Sequence, residues 1–241
     1  LFRYENENGE IMEIQGVNES GELIYYVTGN RDAAASASTD KVWPGGSLGY
    51  SLKGDSMTVG EWDGGAVRLT HYELTGRVTQ VDGATSTSDH ATHVAGTLVG
   101  SGADTSAIGM AYNASLDAHD WNFDDSEMAT AAGNGMLISN HSYGSITGWY
   151  YNSSASRDEW WGDTTLSGTE DYKFGFYNSQ AQSWDQIAWN APYYLIVKSA
   201  GNDRNDSHTG LHYLPNHGAW STTSRPDDGG TDGYDCISTY G

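Results

Sequence analysis

Three short stretches of this chain hold side chains able to do chemistry. Asp89-His90-Ala91-Thr92-His93-Val94-Ala95-Gly96-Thr97 sets a histidine where a polar loop ends and a run of small residues begins. Ser88 or Asp89 can cap a helix there, and Ala91, Val94, Ala95 and Leu98 have helical spacing. A histidine so placed is fixed by the helix behind it while its ring faces the loops. Met57-Thr58-Val59-Gly60-Glu61-Trp62-Asp63-Gly64-Gly65 reads as a buried strand ending in an acid and a glycine turn. A carboxylate at the C-terminal end of a strand in an open α/β sheet lies where active sites form. Its plainer reading is a turn-capping aspartate before Gly-Gly. The third stretch runs from Tyr193 through apolar residues to Ala200-Gly201-Asn202, which taken alone is an ordinary turn after a strand.

Two other patterns compete. Gly45-Gly46-Ser47-Leu48-Gly49 matches G-x-S-x-G, the nucleophile elbow, and the order Ser47, Asp63, His90 suits an α/β-hydrolase esterase. An elbow needs an apolar strand before it, however, and Asp40-Lys41-Val42-Trp43-Pro44 reads as a turn instead. His90, His93, His119 and His141 suggest zinc, but their spacing matches no zinc-ligand pattern.

The pattern H-x-T-H-V-A-G-T at His90 resembles the histidine motif of the subtilisin-like serine proteases, the subtilases, with Ala91 where glycine is commoner. Asp63 matches that family's aspartate motif, and Ala200-Gly201-Asn202 its oxyanion segment, in the family's chain order. The resemblance implies that His90 is the general base, that Asp63 holds it through Nδ1–H, and that the Asn202 amide receives the oxyanion. It likewise assigns Ser142, Tyr143 and Gly144, with Ala200 and Gly201, to the binding of a polypeptide substrate by β-strand addition. His93 would be a helix-face neighbour, and His71 a structural residue of the loop after the acid. The implied fold is α/β, a mostly parallel sheet flanked by helices and incomplete at the C-terminal end of this chain. Residues 1–56 would be an N-terminal extension packed on the catalytic domain, and 57–241 the N-terminal part of that domain. The family nucleophile lies in Gly-Thr-Ser-x-Ala-x-Pro, and nothing from Asp203 to Gly241 matches it. The expectation is therefore a C-terminal fragment, separated by proteolytic nicking, that brings the serine. A catalytically inactive scaffold is the alternative, and the Ser47 esterase a third reading.

The elements that must position these residues are legible in part. Glu13–Val17 and Leu23–Val27 read as strands joined by a turn at Asn18–Gly21, and Ala33–Thr39 as a loop or short helix. A further strand is expected at 77–81, Leu137–Gly144 reads as a strand breaking into a loop, and the resemblance implies a turn at Gly109-Met110-Ala111 with a strand following at 115–118. A helix is expected at Trp184–Asn190, ending before Pro192. Residues 145–176 show no sustained period and read as long loops packed with aromatics. His208, His212 and His217 read as loop residues. Glu61 departs from an apolar strand, so it requires a partner such as Arg68 or Arg77.

At 241 residues the chain can bury a substantial core. A net charge of −21 argues against nucleic acid or an anionic membrane as partner. No transmembrane run or signal peptide is visible. The start at Leu1-Phe2-Arg3 without methionine suggests a processed product, and the loop-rich composition a secreted one. The lone Cys236 cannot form an internal disulfide. No cofactor is expected for the chemistry. Structural calcium is conceivable at Asp120, Asp124, Asp125 and Glu127, or near Asp203 and Asp206, although an acid-rich helix N-terminus explains the first group more simply.

Overall fold

The computed structural model describes residues 3–5, 11–17, 23–27, 30–230 and 234–238, with side chains described from residue 33 on, Asn205 excepted. The expected Asn18–Gly21 turn lies outside the described residues. In chain order the elements are β1 (Arg3–Glu5), β2 (Ile11–Val17), β3 (Leu23–Val27), α1 (Asn30–Ser36), β4 (Thr58–Asp63), β5 (Val78–Gln80), α2 (Asp89–Val99), β6 (Ser115–Asp120), α3 (Asp124–Gly133), β7 (Ile138–His141), β8 (Trp149–Asn152), β9 (Arg157–Trp160), α4 (Ser179–Asn190), β10 (Leu195–Lys198), β11 (His212–Leu214) and β12 (Ala219–Ser221). The chain divides into two compact units, 1–124 with 136–140, and 125–135 with 141–241. No described helix is long and apolar enough to cross a membrane.

In the first unit, β1, β2 and β3 form an antiparallel sheet with a bulge between Ile14 and Gly16. The alanine-rich stretch after it resolves as α1, with Ala34 buried. The central sheet has the order β7-β4-β6-β5, and β6 pairs in parallel with both β4 and β5. Side chains alternate across a strand, so register sorts them by face. Val59, Glu61 and Asp63 of β4 lie beside Leu116, Ala118 and Asp120 of β6. That face packs under α2, whose buried residues Ala91, Ala95 and Val99 recur every fourth position. The other face carries Trp62, stacked on His119 with ring centroids 4.3 Å apart. Small residues on α2 let the helix lie close to the sheet. After the helix, Gly109 packs against its C-terminal end, where a Cβ would come within 2.3 Å of the Gly100 nitrogen.

The expected partner of Glu61 is not an arginine. Arg68 pairs with the exposed Asp89 at 3.2 Å, and the Arg77 guanidinium donates to the carbonyls of Val99, Tyr112 and Ala114. Glu61 is fully buried, and neither of its oxygens has a hydrogen-bond partner among the described residues. Burial first, and the nearby Asp63 charge second, push its pKa well above the usual carboxylate value. The cost of burying an ion is avoided by neutralising it.

In the second unit, the stretch 145–176 is not wholly loop. Trp149–Asn152 and Arg157–Trp160 pair antiparallel as β8 and β9. The sheet continues through β11 to β12 in the order β12-β11-β9-β8. The strands are four residues or shorter, too short to register as a period. Trp149, Trp160 and Leu214 form the core of this sheet. His212, expected in a loop, is buried on β11; its Nδ1 donates to the Gly210 carbonyl at 2.9 Å and its Nε2 accepts from Arg225. The helix expected from Trp184 begins five residues earlier, because the Asn178 side chain caps it, accepting from Gln180 N and Ala181 N. Its buried residues are Ala181, Trp184 and Ile187.

Candidate active site

The site is built from the end of β4 and the start of α2. Asp63 is the last residue of β4 and is 2% exposed; its Oδ1 accepts from Gly64 N at 2.7 Å. The chain then turns at Gly65, whose φ of +130° suits only glycine and where a Cβ would lie 2.8 Å from the Ser86 carbonyl. This turn lets Ala66 form a parallel bridge with Thr87, in which Ala66 N donates to Ser86 O and Ser88 N to Ala66 O, both at 2.8 Å. The strand end carrying Asp63 is thereby tied to the residues that open α2.

Ser88 is the N-cap of α2. Its Oγ accepts from Ala91 N at 3.1 Å, and its carbonyl accepts from Thr92 Oγ1. Replacing Ser88 by alanine should lower stability by about 1 kcal/mol, read as a lower denaturant midpoint with an unchanged slope. At the second residue of the helix, His90 Nδ1 lies 2.8 Å from Asp63 Oδ1 and 2.9 Å from Oδ2. An ionised carboxylate only accepts, so Nδ1 carries the shared hydrogen and the neutral ring keeps its lone pair on Nε2. The His90 side chain is 59% exposed. One nitrogen is thus anchored on a buried acid while the other faces outward, the arrangement of a general base held in one tautomer.

A brace behind the pair was invisible in the sequence. Glu73, 3% exposed, accepts from Ser101 Oγ, Gly102 N, Ala103 N and Asp104 N at 2.7–3.2 Å. It ties the loop after Asp63 to the residues that follow α2. Burial raises the Glu73 pKa, but the hydrogen bonds from Asp104, Ser101, Ala103 and Gly102 outweigh it and hold the carboxyl below the usual range. His71 is structural, its Nδ1 accepting weakly from Glu73 N at 3.4 Å, and His93 is exposed on α2.

The remaining expected site residues belong to the second unit. Ser142, Tyr143 and Gly144 follow β7 in irregular backbone, and Ser199 N donates to His141 O at 3.0 Å, so the end of β7 lies beside the strand leading to Ala200, Gly201 and Asn202. Lys198 Nζ would be 3.7 Å from a Cβ on Gly144 and stands 5.8 Å from the Tyr143 ring; burial lowers its pKa. Asn202 is exposed and starts the 3-10 turn Asp203–Asn205 without spending its side chain on the cap.

The competing patterns do not assemble. Ser47 is exposed in consecutive turns with no strand leading into it, and Gly46 sits so tightly that a Cβ would lie 2.4 Å from the Lys41 carbonyl. His119 stacks on Trp62, while His141 is buried beside Tyr143 Oη at 3.1 Å. Among the described residues no group of three or more histidine, cysteine or acidic side chains is placed to hold a metal ion. Asp203 and Asp206 neighbour Asp228, whose pKa is pushed up to about 8 by burial and, despite a hydrogen bond from Trp149 N, by the charges of Asp203, Asp206 and Asp171.

The Peptidase_S8 model, described as the subtilase family, matches residues 66–228, from three residues after Asp63 through His90 and Asn202. No curated protein matches the chain significantly. The match covers more than half of the chain, around a histidine already seen hydrogen-bonded to a buried acid; the chain belongs to the subtilase family, a family of serine proteases.

Proposed function

We propose that this chain is the aspartate- and histidine-bearing part of a secreted endopeptidase whose serine comes from a further polypeptide segment carrying Gly-Thr-Ser. The observation that carries the reading is the 2.8 Å contact between His90 Nδ1 and the buried Asp63, inside the family's motifs. In the reaction, His90 Nε2 takes the proton of the serine hydroxyl as its oxygen attacks the peptide carbonyl. Asp63 stabilises the imidazolium so formed without itself being protonated. The Asn202 amide and a backbone N–H receive the oxyanion. His90 then returns the proton to the leaving amine, and water hydrolyses the acyl-enzyme by the same two steps. The substrate main chain would pair along Ser142–Gly144, with Ala200 and Gly201 across the cleft.

Fluorophosphonate labelling of the purified protein, followed by denaturing separation and intact mass, tests this. Label on a second, co-purifying fragment, with this chain unlabelled, is the expected result. Label on this chain at Ser47 would establish the esterase reading instead. If only this chain is present and nothing is labelled, the protein is an inactive subtilase-like scaffold.

A further inference from the structure

Glu61 is a buried acid that the reaction does not use. It shares a face of β4 with Asp63, and two residues along a strand span about 7 Å. The groups around it can be enumerated. From α2 the face receives Ala91, Ala95 and Val99, while the charged and titratable residues of that helix, Asp89, His90 and His93, are exposed. From β6 it receives Leu116 and Ala118, with Asp120 level with Asp63. Ile138 of β7 joins the same cluster. Among the described residues no cation acts on Glu61, and no donor bonds to it.

We propose that Glu61 is a positioning residue that acts as a neutral acid beneath the pair, leaving Asp63 the charge that orients His90, and that loss of its proton uncouples Asp63 from His90. The ionisation releases one proton from the Glu61 carboxyl to solvent and leaves a second anion in an apolar layer. That anion is relieved when the layer under α2 opens to water. Because α2 carries His90, that opening draws the ring away from Asp63 and breaks the bond to Nδ1. The consequence for catalysis rests on the function proposed above; the hydrogen bond itself does not.

The Glu61 pKa is higher folded than unfolded, so above the ordinary glutamate value the folded chain keeps a proton that the unfolded chain has released. Stability from this group is greatest at low pH and declines as pH rises towards the raised value. Asp228 contributes a slope of the same sign, so the informative quantity is the difference between proteins.

The test compares the wild-type chain with Glu61→Gln from about pH 5 to about pH 9, by denaturant titration and by the downfield NMR resonance of His90 Nδ1–H. In wild type the folding constant should fall by up to about tenfold per pH unit more than in Glu61→Gln, and the resonance should be lost at lower pH. Equal slopes and equal persistence of the resonance would overturn the proposal. If Glu61→Gln does not fold, Glu61→Val, also without an ionisable group, is read by the same criteria. The Glu61 carboxyl 13C shift in wild type decides independently: titration in the ordinary carboxylate range overturns the proposal, and its displacement to higher pH supports it. No turnover is needed, so failure of the protease reading leaves this result intact.

Discussion

His90→Ala, measured on the chain assembled with the serine-bearing segment proposed above, is expected to lower kcat by about 10⁶-fold, the order found for such a loss in subtilisin. The reason is the geometry of one ring. Nδ1 is held by both Asp63 oxygens, and no other described side chain occupies that position. Asp63→Asn should cost about 10⁴-fold, because the asparagine amide can face Nδ1 as a donor and favour the tautomer that puts the hydrogen on Nε2. The double variant should be little worse than His90→Ala, since residues that act as a unit are not additive. KM should change far less than kcat in each. The His90 side chain is largely exposed, so His90→Ala should melt near the wild-type temperature. A large kcat loss with unchanged stability separates a chemical role from a structural one.

The largest stability effect expected from a single polar substitution is at Glu73. Glu73→Gln should cost about 2–3 kcal/mol at neutral pH, because it removes the charge from a buried acceptor of four hydrogen bonds and turns an amide NH2 towards donors. Its pH dependence runs opposite to that of Glu61. The folded pKa of Glu73 is lowered, so its contribution is complete above the ordinary glutamate value of 4.5 and is lost as pH falls through the depressed value. Acid titration of stability should therefore be shallower in Glu73→Gln than in wild type. Equal stability of the two proteins at neutral pH would mean that the brace between the Asp63 loop and the end of α2 carries no weight. Because that brace lies behind α2, a weakened variant should also show faster hydrogen exchange in residues 101–104.

Two glutamates in one unit thus have pKa values shifted in opposite directions, and the contrast marks the limit of sequence reading here. Asp63 and His90 were legible as partners because each sits in a local pattern, a strand end or a helix start, whose residues are neighbours in the chain. The α2 face was legible too, since small residues at helical spacing report burial on one side. Strand alternation could show that Glu61 was out of place on β4. It could not show that the arginines near it in the chain were already committed to Asp89 and to backbone carbonyls. Nor could it show that Glu73 would meet the amides of residues 102–104, some thirty positions away. The strands β8, β9, β11 and β12 escaped for a related reason. Each is too short to display a period, and their pairing is stabilised by contacts among Trp149, Trp160 and Leu214 that are distant along the chain. By itself the sequence determined which residues could form the acid–base pair and which helix carries the base, because local spacing decides both. Only the tertiary structure decided that burial raises the pKa of Glu61 while hydrogen bonds lower that of Glu73, because ionisation depends on which donors and charges the fold brings within reach.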